Sequence, residues 1–246
     1  MSDVLAVDGL EVGYGGAPVV RGLGLRVGPG EVLALLGPNG AGKTTTLRAI
    51  AGTLRPLAGS IAIAGADVAG ASATTRARRG LGYVPEGRGV FSGLTVAEHF
   101  RIGPRRERLD LEQACAWFPA LDELRGRRAG LLSGGEQQML VLARALARAP
   151  TLLLIDELSL GLAPIVVERM LPVVRRFASE TGTGVLLVEQ HVHLALEIAD
   201  RGAVMSHGEL VLERPASELR DNHDLLIASY LGGQALPPAT VQQPIT

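Results

Sequence analysis

Gly37, Pro38, Asn39, Gly40, Ala41, Gly42, Lys43 and Thr44 match the spacing G-x-x-x-x-G-K-[ST]. Residues of those types at that spacing can cradle phosphate. Glycines let the backbone close around an anion, so that successive N–H groups and the N-terminus of a following helix point at it. Lys43 can then reach the β- and γ-phosphates and Thr44 can hold Mg2+, with Thr45 continuing into the helix. Of 24 basic residues only Lys43 is a lysine; arginine fills every other cationic position. A second stretch, "LLLIDE" (152–157), is an apolar run ending in two acids. Asp156 is placed to bind Mg2+ through water and Glu157 to polarise an attacking water. In "LLSGGEQQML" (131–140), Ser133 and Glu136 have capping-box spacing. A cap does not require Gly134 and Gly135, whose exposed N–H groups suit a second anion-binding surface. Finally, "LGYVPEGRGVF" (81–91) breaks at Pro85 and sets Glu86 at a strand exit; the residues alone give that acid no duty.

These groups need elements to hold them. "EVLALLG" (31–37) reads as a strand buried on both faces, followed by a helix from Lys43 to Ala51. Residues 1–30 read as short strands with glycine turns, and "GSIAIAGADV" (59–68) as a further strand pair in the same antiparallel β region. From Thr95 to Leu132 the chain is polar, arginine-rich and helix-like; residues 134–149 read as one helix stopped by Pro150. "TLLLID" (151–156) and "GVLLVE" (184–189) are strands with a helix between them. The alternation predicts an α/β fold, a P-loop NTPase with a mostly parallel central sheet, an antiparallel β subdomain and a small helical subdomain at about 87–145. No internal repeat is present, and the proline-rich residues 233–246 read as a disordered tail.

Composition narrows the classes. The 246 residues are 47% hydrophobic and only 3% aromatic, which suits aliphatic strands between helices. A net charge of −1 gives no global attraction to nucleic acid. One cysteine, Cys115, excludes internal disulfides and cysteine zinc clusters. No signal peptide and no apolar run of about 18 residues is seen, so contact with a membrane is expected only through partners.

The order "LSGGE", "QQMLVLARALARAP", "LLLIDE" resembles the signature segment and second acidic motif of ABC-transporter ATPases. The resemblance covers about residues 4–232, so residues 1–232 are expected to form one nucleotide-binding domain. It implies ATP and Mg2+ as ligands and a head-to-tail pair of ATPase chains. In such a pair Ser133, Gly134 and Gly135 would act on the partner's ATP, and Tyr14 would stack on adenine. By position, Glu86 occupies the slot of a Mg2+-sensing glutamine, and Gln190 that of a histidine that contacts the γ-phosphate. Both departures, with "VPEGRGVF", "SLGLAP" (159–164) and "VEQHVHLAL", resemble the ATPases of branched-chain amino-acid importers. Leu158, Gly89 and Ser92 depart from that pattern. The resemblance further implies two permease subunits, an extracytoplasmic solute-binding protein, a homo- or heterodimer, and a place on the cytoplasmic face of a bacterial cell membrane. Glu157 is expected to carry most of the hydrolysis, with Gln190 positioning.

Other signals are weaker. His191 and His193 are two apart, a spacing that shares no helix face, and His99, His207 and His223 show no ligand spacing. The basic stretches 76–80 and 101–110 read as solvated faces, part of which could meet a membrane subunit. Rival readings are urea or amide import, lipopolysaccharide export, a non-transport ATP-switched module, and a small-molecule P-loop kinase.

Overall fold

In the computed structural model, which describes residues 2–87, 89–103 and 108–222, the chain starts with two long strands. These are β1 (Leu5–Tyr14) and β2 (Ala17–Val27), not the short strands expected from the glycines. Gly9 and Gly22 instead sit where the β1–β2 register shifts, each at φ 57°, so they form bulges and the ladder continues past them. The chain then runs through β3 (Val32–Leu36), α1 (Lys43–Ala51), β4 (Ala58–Ile63), β5 (Ala66–Asp67), α2 (Ala73–Arg78) and β6 (Leu81–Val84). The helical stretch comprises α3 (Val96–Phe100), α4 (Leu111–Trp117), α5 (Ala120–Glu123) and α6 (Gly134–Leu146). Then follow β7 (Leu152–Asp156), α7 (Pro164–Thr181), β8 (Gly184–Val188), α8 (Val192–Ile198), β9 (Arg201–Ser206), β10 (Glu209–Pro215) and α9 (Ala216–Asp221).

Two expectations are corrected here. Helix α6 ends at Leu146, before the run to 149 is complete, because tighter turns take over. The Ala149 N–H bonds to the Leu146 carbonyl, and Ala149 itself has φ 46°. His191 is not on a helix; it occupies the N-cap position of α8, with His193 one turn-position inside. His223 and residues 233–246 lie outside the described residues.

The antiparallel sheet has the order β2-β1-β4-β5, and the larger sheet has the order β10-β9-β3-β8-β7-β6. Within the larger sheet, only the edge strand β10 runs antiparallel. Strands β3, β7 and β8 are buried throughout, as continuous apolar runs require. Their side chains alternate between two cores. Leu33, Leu35, Leu152, Leu154, Leu186 and Val188 pack toward α1 and the antiparallel sheet. Val32, Ala34, Leu36, Leu153, Ile155, Val185 and Leu187 pack toward α6, α7 and α8. Trp117 extends this second core into the helical stretch, meeting Phe177 edge-on at 5.0 Å with the Arg176 guanidinium 4.7 Å from its ring centre.

Helix α1 is fixed at its far end by an arginine. Arg76, 1% exposed, donates to the carbonyls of Ala49 at 2.6 Å and Ile50 at 2.9 Å, and also to Ala69 and Ala71. A cation at the C-terminus of α1 complements the helix dipole and satisfies the Ile50 carbonyl, while the Ala49 carbonyl also accepts the N–H of the C-cap residue Gly52. The stretch 76–80, read as a solvated face, therefore contains one arginine that is fully inside. Arg76→Ala is expected to destabilise the fold by roughly 3–5 kcal/mol, since the Ile50, Ala69 and Ala71 carbonyls lose this donor at about 1–3 kcal/mol each while Ala49 keeps the Gly52 N–H. A urea denaturation midpoint within error of the parent chain would contradict this.

Candidate functional site

Four adjacent parallel strands, β3-β8-β7-β6, end on the same side of the sheet, the place where open α/β sheets bind ligands. The chain after β3 is the glycine loop. Gly37 has φ 145°, and a Cβ there would lie 2.2 Å from the Met205 carbonyl oxygen. Gly42, the N-cap of α1, has φ 102°, and its Cβ would meet Val20 at 2.8 Å. Both positions need glycine for backbone conformation and for space. Ala41 is buried beneath the loop, and its N–H bonds to the Pro38 carbonyl at 3.2 Å. Lys43 is 5% exposed; its Nζ donates to the Gly37 and Pro38 carbonyls at 2.8 and 3.0 Å. Burial lowers the ammonium's pKa, while the carboxylates of Glu157 and Asp156 oppose that shift.

The two acids after β7 divide by direction. Asp156 continues the parity of Leu152 and Leu154, so it faces α1. The Thr44 hydroxyl donates to its Oδ1 at 3.0 Å and the Tyr83 hydroxyl to its Oδ2 at 3.3 Å. Burial raises the Asp156 pKa, these two hydrogen bonds pull it down, and the charges of Glu157 and Glu86 push it up. Glu157 has left the strand with φ 49°, an uncommon conformation for a residue with a side chain that costs on the order of 1–3 kcal/mol. It is held there by its N–H bond to the Val188 carbonyl at 2.9 Å. Gln190 donates from Nε2 to Glu157 Oε2 at 2.9 Å, and a carboxylate can only accept, which fixes the amide's orientation.

Asn39, Gly40, Gly42, Lys43, Thr44, Thr45, Glu86, Glu157 and Gln190 line one cleft of about 320 Å3. Glu86 and Asp156 also border an adjoining cavity of about 530 Å3. Among the described residues the two cavities thus set three carboxylates against the Lys43 ammonium and the Arg48 guanidinium, a net negative balance that repels a bare triphosphate and calls for a divalent cation. Hydroxyl and carboxylate oxygens at Thr44, Asp156 and Glu86 form a donor set that fits Mg2+. Among the described residues no group of three or more His, Cys, Asp or Glu could hold a metal by itself. Phosphate oxygens would therefore have to complete the shell, which is the usual habit of Mg2+.

Other residues sit apart. Ser133 caps α6: its Oγ accepts the Glu136 N–H at 3.3 Å, and Glu136 accepts the Ser133 N–H at 2.6 Å. Ser133, Gly134, Gly135 and Glu136 do not line the cleft. A Cβ on Gly135 would lie 2.8 Å from Val166 of α7, so that glycine also has a packing reason. Tyr14 is 50% exposed at the end of β1, and its hydroxyl accepts from Arg48 at 3.3 Å. His99, fully buried, accepts the Phe91 N–H at Nε2 (3.0 Å) with Nδ1 on the Thr95 carbonyl (2.8 Å), tying the segment after Glu86 to α3. Leu158 is 1% exposed and belongs to the core beside α7, while Gly89, at φ 60°, uses a conformation glycine favours.

Tyr83 is a residue the motifs did not flag. Its position two residues before Pro85, on the strand beside β7, was the available signal. Tyr83→Phe is expected to raise the Mg2+ concentration for half-maximal hydrolysis about tenfold, with turnover at saturating Mg2+ nearly unchanged. An unaltered Mg2+ titration would remove Tyr83 from the metal site.

Comparison with known proteins adds a lineage to this geometry. The family model described as "ABC transporter" matches residues 20–159. The high-affinity branched-chain amino acid transport ATP-binding protein BraG of Pseudomonas aeruginosa is 38% identical over 235 residues, covering 94% of this chain and all of that one. The Fe(3+) ions import ATP-binding protein FbpC 2 of Rhodococcus jostii is 37% identical, covering 98% of this chain and 71% of its own length. The lipopolysaccharide export system ATP-binding protein LptB of Acidithiobacillus ferridurans is 34% identical, over 95% and 99%. A solved ATP-binding subunit of an ABC transporter superposes with a TM-score of 0.78 at 27% identity, over 93% and 98% of the two chains.

Proposed function

The chain belongs to the ABC transporter family as an ATP-binding, ATP-hydrolysing subunit, and on that footing we propose that it powers the import of branched-chain amino acids. The observation that carries the cargo is the similarity to BraG along essentially the whole of both chains. Glu86 at the cleft and the Gln190–Glu157 hydrogen bond are consistent with it.

In the proposed mechanism, the N–H groups of the glycine loop and the Lys43 ammonium bind the β- and γ-phosphates, and Tyr14 stacks on adenine. Thr44, Asp156 and Glu86 would hold Mg2+, which would supply positive charge beside the phosphates. Glu157 accepts a proton from water as that water attacks the γ-phosphorus, and the bond to ADP breaks. Gln190 orients Glu157. Ser133, Gly134 and Gly135 serve the ATP of a second ATPase chain, which accounts for their absence from this chain's own cleft. Two permease subunits and an extracytoplasmic binding protein complete the assembly. No helix among the described residues is long and apolar enough to cross a membrane, so the chain would attach peripherally through the permeases, on the cytoplasmic face.

Co-purification with membrane subunits tests the proposal, followed by ATPase assays in the reconstituted complex with leucine, isoleucine, valine, amides and Fe3+. Stimulation by the branched-chain amino acids is expected. Stimulation by an amide or Fe3+ alone would reassign the cargo, and a lack of membrane partners would favour an ATP-switched module.

A further inference from the structure

Three consecutive residues at the end of β8 each hold the segment that follows β7. The Val188 carbonyl accepts the Glu157 N–H, and Gln190 donates to the Glu157 carboxylate. Between them stands Glu189, 1% exposed, with each carboxylate oxygen hydrogen-bonded to the same residue. Its Oε1 accepts the Ser159 N–H at 3.0 Å and its Oε2 accepts the Ser159 hydroxyl at 2.6 Å. No salt bridge reaches Glu189 among the described residues; burial raises its pKa, and the Ser159 hydroxyl, the Ser159 and Gln190 N–H groups and the charge of His191 pull it down, so the group depends on its hydrogen bonds. Ser159 is itself 5% exposed, so this bidentate clamp lies inside the protein.

The clamp fixes the backbone on one side of Glu157, and the Val188 carbonyl fixes it on the other. Between these anchors Glu157 keeps its φ of 49°, a conformation that persists only where the surroundings over-determine it. Glu189 is also the immediate neighbour of Gln190, so one side chain sets the register between both members of the hydrolytic pair. We propose that Glu189, through Ser159, is a positioning residue for hydrolysis, holding Glu157 and Gln190 in register without touching nucleotide. The phosphate-binding loop is carried by β3 and α1, so the clamp governs turnover and not nucleotide affinity.

The inference rests on the assignment of hydrolysis to Glu157 and Gln190. The test uses the full-length chain reconstituted with the subunits that co-purify with it. ATPase turnover and equilibrium binding of a fluorescent ATP analogue with Mg2+ are measured for Glu189→Ala, Glu189→Gln, Ser159→Ala and the Glu189→Ala/Ser159→Ala double variant. A misplaced catalytic group costs turnover steeply, so Glu189→Ala should lower kcat about tenfold to hundredfold with nucleotide Kd within twofold of the parent. Glu189→Gln keeps an acceptor for the Ser159 N–H and should recover most of the loss. The double variant should be no worse than Glu189→Ala, because both changes break the same clamp. Unchanged kcat in Glu189→Ala, or a parallel loss of kcat and affinity, would overturn the proposal. If Glu189→Ala does not fold, Ser159→Ala decides: reduced kcat at unchanged Kd supports the clamp, and parent-like kcat sinks it. Glu157→Gln assayed alongside separates the two ideas, since parent-like turnover there removes the pair itself and not merely its support.

Discussion

Glu157→Gln is expected to lower ATP turnover by about 10²–10⁴, the usual contribution of a positioned general base, and to leave MgATP binding within a few-fold of the parent. The substitution is nearly isosteric, and Gln190 can still donate to the remaining side-chain oxygen, so the loop geometry is retained. What is lost is the group proposed to take the proton from water. Gln190→Ala makes the complementary change. It leaves the carboxylate in place and removes the 2.9 Å bond that orients it, so a fall of roughly tenfold is expected. The order of the two effects is the informative part. If Glu157→Gln kept the parental rate while Gln190→Ala abolished it, the amide would be the residue on which hydrolysis depends. Single-turnover measurements with excess enzyme separate the chemical step from product release in each variant.

The strands that carry the candidate site were easier to read than the contacts that support it. Strands β3, β7 and β8 were legible because strands buried on both faces are written as unbroken aliphatic runs. The direction of Asp156 follows from the period-2 alternation of "LLLID". What the sequence could not disclose are contacts made across long separations. Ser159 and Glu189 are thirty residues apart, and nothing in either segment names the other. Arg76 lies among Arg78 and Arg79 in a stretch that reads as solvated, yet the carbonyls it satisfies belong to α1, more than twenty residues earlier. Gly9 and Gly22 misled in the opposite sense: a glycine that ends a strand and one that bulges it look alike until the partner strand is placed. The strands β9 and β10 and the helices α8 and α9 went unread because no motif anchors them; β10 has seven residues, more than β3, but it is a partly exposed edge strand without an unbroken aliphatic run.

Lys43→Ala is expected to weaken MgATP binding by tenfold to a hundredfold or more. A hydrogen bond to a charged group contributes about 1.5–3 kcal/mol, and each 1.4 kcal/mol is tenfold. Among the described residues that line the cleft, the removed ammonium is also the one cation, beside the carboxylates of Glu86 and Glu157. Without it, the described residues that line the cleft oppose the charge of the phosphates only with backbone N–H groups and neutral side chains. Lys43→Arg is the sharper experiment, because this sequence uses arginine at every other cationic position. Lys43 is 5% exposed and its Nζ reaches two loop carbonyls within 3.0 Å, a space shaped for a compact point charge. A planar guanidinium carries the same charge in a wider fork and cannot occupy that space without displacing the glycine loop. Lys43→Arg is therefore expected to bind MgATP nearly as poorly as Lys43→Ala, by equilibrium titration of the purified chain. Parental affinity in Lys43→Arg would mean that charge alone suffices, and the solitary lysine would then need a different explanation.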